Sequence, residues 1–126
     1  MKKPLKFNEE MQFAVQVGQK TQTRRPIKSL VCPYGEVGDV IELFMEDGDT
    51  SFAKAQIMQV QEQQLHHIKE AEAWLEGVQV HPKYGTYADS FQDIWSSIYG
   101  TLYGDFSWSS NPTVWVIEFD VLEIYQ

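Results

Sequence analysis

One cysteine in 126 residues, Cys32, leaves no partner for an intramolecular disulfide and no basis for a zinc site built on several thiols. A chain so poor in cysteine fits a reducing, cytoplasmic setting. Long apolar runs are missing as well. Nothing approaches the length that spans a bilayer, and no run of signal-peptide length follows Lys2 and Lys3, so a soluble protein with no membrane partner is expected. Internal repeats, low-complexity tracts and Gly/Ser/Pro linkers are also lacking. With 43% hydrophobic residues, 1–126 reads as a single domain with its own core. Positive charge is scarce: ten basic residues against 18 acidic ones give a net charge of −8. That balance argues against duplex DNA and against any protein that holds long nucleic acid by general electrostatics. Six of the basic residues (Lys2, Lys3, Lys6, Lys20, Arg24, Arg25) nevertheless fall in the first 25 positions, a local basic site in an acidic chain.

The chain is organised around the segment Gly18-Gln19-Lys20-Thr21-Gln22-Thr23-Arg24-Arg25-Pro26. As a strand it sends Lys20, Gln22 and Arg24 to one face and Thr21, Thr23 and Arg25 to the other. Pro26 has no N–H for a ladder, so the strand is expected to be short or at an edge. Before it, Leu5 to Phe7 is a strand candidate. Asn8 is a cap for an amphipathic helix over 9–17, with Glu9 and Glu10 in its first turn. After it, Asp39 to Met45 and roughly Phe52 to Gln61 read as two strands joined by a hairpin at Asp47-Gly48. Helical spacing follows over 66–77, closed by Glu76-Gly77, and again in Phe91, Ile94, Trp95 and Ile98, capped by Asp89 or Ser90 and stopped by Gly100. The stretch Gln79 to Asp89, with His81, Tyr84 and Tyr87, reads as a loop, as does Gly100 to Pro112. Thr113 to Tyr125 is the best strand, apolar on both faces and therefore central. Trp74, Trp95 and Trp115 are assigned to the core. Strands interspersed with few helices make an α+β fold of five or six strands, closed as a small, strongly bent sheet or barrel with two to three flanking helices.

Several of these segments together resemble the ASCH domain, in the small single-domain form common in phages and prophages. They are Gly18 to Arg25, the turn Gly35-Glu36-Val37-Gly38-Asp39, the acidic helix ending in Glu76-Gly77, Trp95 to Gly100, and Asn111 to Phe119. The resemblance covers nearly the whole chain and implies the PUA-like β-barrel, a fold associated with RNA. One branch of that family hydrolyses N4-acetylcytidine with a lysine, a threonine and a glutamate. Carried over by position, these are Lys20, Thr23 and Glu76. Other members are described as ribonucleases or RNA-binding modules.

The implied chemistry is an amide hydrolysis that needs no metal or other cofactor: Thr23 as nucleophile, Lys20 as base, Glu76 as acid or as the group orienting Lys20. Thr21, Arg24, Arg25 and Tyr34 form the expected ligand-binding set, the guanidiniums for phosphate or an oxyanion and the ring for stacking. Lys20 with Glu76 also reads as a salt bridge and nothing more. His66-His67 is a poor metal site, because adjacent helical histidines point apart. Two functions therefore stand side by side. One is a hydrolase acting on a modified pyrimidine nucleoside or short RNA. The other is a module, or ribonuclease, that binds single-stranded RNA or a nucleotide in the same basic cleft. A phage protein that binds a host protein is a third.

Overall fold

Asn8 starts the first helix because its side-chain oxygen accepts the backbone N–H of Met11 at 2.9 Å, satisfying one of the donors that a helix start leaves open. In the computed structural model, which describes residues 2–80 and 85–125, the strands are β1 (Leu5–Phe7), β2 (Gln22–Pro26), β3 (Val40–Met45), β4 (Ser51–Gln64) and β5 (Thr113–Ile124). The helices are α1 (Glu9–Gln16), α2 (Glu70–Leu75) and α3 (Tyr87–Tyr99). One mixed sheet runs β1-β3-β4-β5-β2, parallel only between β1 and β3. This is an α+β fold, and the sheet curls into a half-barrel, consistent with a PUA-like barrel. The curl follows from the two long strands. The first half of β4 pairs with β3, while its second half pairs with the same part of β5 that carries β2, and register shifts fall at Lys54/Ala55 and Ile57/Gln59.

Alternation along β5 divides the core in two. Trp115, Ile117 and Phe119 point into the half-barrel with Leu5, Phe7 and Leu43, while Val114 and Val116 pack against Phe91 and Trp95 of α3 and Ala73 of α2. Phe7 anchors the first cluster, its ring 5.9 Å from Phe52 and 6.2 Å from Phe119. With strands on both sides and burial on both faces, β5 is the central strand its sequence indicates. The hairpin turns at Asp47-Gly48, where the Asp47 carboxylate accepts the N–H groups of Asp49 and Thr50. β2 lies at the edge that Pro26 requires.

Three expectations are corrected. The helix expected over 66–77 is only Glu70–Leu75, because Leu65–His67 forms a separate 3-10 turn and Ile68 is extended. The third helix starts earlier than Asp89 or Ser90, at Tyr87, since the Thr86 hydroxyl accepts from the Asp89 N–H and the Glu70 carboxylate accepts from the N–H groups of Tyr87 and Ala88. Trp74 is 40% exposed and not a core residue, whereas Trp95 and Trp115 are buried. His81 and Tyr84 lie outside the described residues.

Candidate functional site

Period-two alternation in the basic segment produces two different surroundings, and each face of β2 gathers its own partners. On one face, Arg24 is 2% exposed and donates through all five of its N–H groups. Its guanidinium reaches Glu76 Oε2 at 2.7 Å and Gln22 Oε1 at 3.2 Å through Nη1, and Glu72 Oε2 at 3.1 Å and Gln63 Oε1 at 2.9 Å through Nη2. Nε also donates to Gln63. Glu72 in the first turn of α2 and Glu76 at its C-cap stand four residues apart, on one helix face. Arg24, expected to bind ligand, is thus the buried organiser of two carboxylates.

Lys20 meets the same cluster from the turn before β2. Its ammonium donates to the carbonyls of Gln22 and Glu76, each at 2.7 Å, and to Glu76 Oε1 at 3.3 Å. Lys20 and Glu76 are 2% and 5% exposed, and both line the cleft described below. Burial lowers the Lys20 pKa from 10.5 to about 8; Glu76 pulls it back up, and the neighbouring Arg25 and Arg24 push it down further. Two cations and two carboxylates make this inner cluster close to neutral, which is how charges are tolerated out of water.

A glycine makes the approach possible. Gly77 ends α2 at φ +94°, and a Cβ there would stand 2.8 Å from Ala14 Cβ and 3.1 Å from Lys20 Cβ. Gly77→Ala is expected to cost about 2–4 kcal/mol, from left-handed strain plus overpacking, and to displace Lys20 from Glu76. Urea denaturation measures the loss; a midpoint equal to wild type would show that α2 and α1 have room to part.

On the other face, Thr23 is fully buried, and its hydroxyl accepts from Arg25 Nη1 at 2.5 Å. Arg25 also donates to its neighbour's carbonyl, Arg24 O, and through Nη2 to Lys6 O of β1 at 2.8 Å, so it bridges the two edge strands of the sheet. Among the described residues, its Nε–H and one Nη2 hydrogen remain without a partner. The ring of Phe7 collects both faces: Lys20 Nζ lies 5.8 Å and Arg25 Cζ 5.5 Å from its centroid. Thr21 fastens the strand by its backbone, donating to Leu75 O and accepting from Phe119 N, each at 2.9 Å.

Between β1, β2 and α3 opens a cleft of about 570 Å³. Its floor holds Lys20, Arg24, Arg25 and Glu76, and its walls carry the rings of Phe7, Tyr34, Phe91, Trp95 and Tyr99. Trp95 is held by donation to Phe106 O at 2.8 Å, and its ring packs tilted against that of Tyr99, 4.4 Å between centroids. Burial raises the pKa of both Tyr34 and Tyr99, against the opposing pull of Arg25, so both remain neutral hydroxyls at pH 7. Ile98, 59% exposed despite its place on the apolar face of α3, also lines the cleft. Lys3, Lys6 and Lys28 complete the lining, so six of the chain's ten basic residues converge on this cleft.

Of the residues singled out in sequence, Lys20, Glu76, Arg24, Arg25 and Tyr34 line the cleft, while Thr21 and Thr23 are not part of its lining. The sequence reading passed over Glu72, Gln22 and Gln63 around Arg24, and Phe7, Trp95 and Tyr99 in the walls. The four-residue spacing of Glu72 and Glu76 was the available signal. Among the described residues no group of acidic, His or Cys side chains is placed to hold a metal ion, and no helix is long and apolar enough to cross a membrane. His66 instead stacks on Trp108 at 4.5 Å.

No family model matches the chain and no curated relative matches it by sequence. Solved structures that share its fold include the following two. A DUF984 protein from Enterococcus faecalis superposes with a TM-score of 0.62 at 15% identity, over 100% of this chain and 84% of the other. An ASCH domain from Lactobacillus crispatus superposes with a TM-score of 0.60 at 15% identity, over 88% of this chain and 69% of the other. The chain is thus similar in fold to an ASCH domain.

Proposed function

We propose that this chain is a hydrolase acting on a modified pyrimidine nucleoside, with removal of the acetyl group of N4-acetylcytidine as the reaction. The observation that carries the proposal is a buried lysine held against a carboxylate on the floor of an aromatic-walled cleft, a setting in which burial lowers its pKa to about 8. A lysine titrating there is neutral in about one molecule in ten at pH 7, against one in a few thousand for an unperturbed lysine. That is enough free base for proton transfer. The rings of the walls suit a flat pyrimidine, and the unpaired donors of Arg25 suit a carbonyl oxygen on which negative charge develops.

For the reaction, Arg25 must first swing off the buried Thr23 hydroxyl and open it to the cleft; the Thr23 oxygen then bonds to the acetyl carbon and its proton passes to neutral Lys20. The carbon–nitrogen bond breaks, and the exocyclic nitrogen takes a proton from the Lys20–Glu76 pair, freeing cytidine. Water then hydrolyses the acetyl ester, releasing acetate and restoring Thr23. Arg25, once off the threonine hydroxyl, turns toward the substrate for the attack.

The test is the pH profile of cytidine release from N4-acetylcytidine. Because the base must be unprotonated, kcat/KM is expected to climb with pH and level off above about 8. A profile flat from pH 6 to 9, or no release at all, contradicts the reading. A second reading is favoured by one observation, the complete burial of Thr23 beneath Arg25. In it the cleft only binds a nucleotide or single-stranded RNA, and Lys20 and Glu76 are a structural ion pair. Tight cytidine binding without turnover selects it.

A further inference from the structure

We infer that the cleft takes a phosphorylated form of its ligand, with the phosphate at the mouth against Lys3, Lys6 and Lys28; the inference rests on the nucleoside reading above. The cleft's cations fall into two groups. Those of the floor are engaged: Arg24 with Glu72 and Glu76, Lys20 with Glu76, and Arg25 with Thr23 and a carbonyl. Those of the mouth are exposed, and none has an ion-pair partner among the described residues. In a chain with 18 acidic residues against ten basic ones, carboxylates are abundant, and elsewhere on the surface they pair with lysines, Lys2 with Asp39 and Lys54 with Glu123.

At the mouth, one carboxylate, Glu46, shares the lining with three lysines. The mouth therefore keeps a net positive field on a molecule that is otherwise negative. Lys28 is set over the ring of Phe106, 5.4 Å from its centroid, and the Lys6 chain runs along the hairpin at Gly48. A neutral nucleoside fills the aromatic part of the cleft and leaves this field unused. A phosphate of charge about −1 to −2 answers it. The same chemistry comes from two sources, a terminal 5′-phosphate or a phosphodiester of a single strand.

Calorimetry at low salt separates the cases. The ligands are cytidine, cytidine 5′-monophosphate, the dinucleotide cytidylyl-cytidine and inorganic pyrophosphate. The proteins are wild type and the triple variant Lys3→Gln, Lys6→Gln, Lys28→Gln. In wild type, a phosphate on the ligand is expected to tighten binding by about tenfold or more over cytidine, and added salt to erase the gain. In the triple variant the ratio falls toward one. A gain for the monophosphate identifies a terminal phosphate; a gain confined to the dinucleotide identifies a strand. A ratio near one in wild type, or a ratio unchanged in the variant, overturns the inference while leaving the nucleoside reading intact. If cytidine fails to bind yet pyrophosphate still binds wild type more tightly than the variant, the nucleoside reading falls and the phosphate-binding mouth stands. Equal pyrophosphate binding by the two proteins, with no cytidine binding, overturns both.

Discussion

Lys20→Arg is expected to lower the rate of cytidine release by about 10³-fold, in a protein that remains folded. The substitution keeps a positive charge beside Glu76 but removes the base, because a guanidinium does not give up its proton at any pH where the protein is folded. Tight packing against Gly77 makes the larger group a burden, so Lys20→Met is the companion variant. Both should lose the rise in kcat/KM with pH that wild type shows up to about 8. Stability separates chemistry from packing. Lys20 has a lower pKa folded than its ordinary 10.5, so between about 8 and 10.5 the unfolded chain holds more protons, and the wild type's stability gains with pH in that window. The gain, taken as wild type minus Lys20→Met, vanishes below about 8, where both states carry the proton. An active Lys20→Arg protein would reduce the residue to a binding or structural role.

Arg24→Ala is expected to have the largest effect on stability, a loss of about 3–5 kcal/mol. It leaves Glu72 without its ion-pair partner and Glu76 with Lys20 alone, and it opens a void where a fully buried side chain stood. A loss of that size lowers the melting temperature by roughly 10 °C or more in a chain of this length. Glu76→Gln in the Arg24→Ala background should recover part of it, because the uncompensated buried charge is then removed. Arg25→Ala, at a half-exposed position bonded to a hydroxyl and two carbonyls, should cost far less. Equal losses at the two arginines would contradict the division of the segment into a buried organiser and a ligand-facing group.

That division was legible in part. Alternation along a strand assigns Gln22 and Arg24 to one side and Thr23 and Arg25 to the other, as observed. Turn chemistry placed the hairpin at Asp47-Gly48, and the two-sided apolar pattern placed β5 at the centre. What alternation cannot convey is which side is buried. Arg24 finds its partners 39, 48 and 52 residues away, at Gln63, Glu72 and Glu76, and nothing in the local pattern announces that meeting. The extent of α2 was misread for a related reason. Ile68, Ala71 and Leu75 keep helical spacing, but Glu70 and Glu72 turn their carboxylates to helix starts, Glu70 to that of α3 and Glu72 to the Lys69 N–H, which fixes the first turn of α2 at Glu70. The walls of the cleft were hidden in the same way. Phe91, Ile94, Trp95 and Ile98 read as the apolar face of a helix, and only the placement of α3 beside β2 decides that this face lines a cleft.

Everything proposed for the site depends on a lysine that is both titratable near neutrality and in reach of ligand, and one measurement addresses the two properties together. Protein carrying ¹³C at the lysine ε-carbons is titrated by NMR with and without cytidine, the Lys20 signal being the one that Lys20→Arg deletes. The account predicts a single lysine with its midpoint near 8, shifted when cytidine is present. A Lys20 signal that titrates above about 10 with the other lysines, and ignores cytidine, would contradict it.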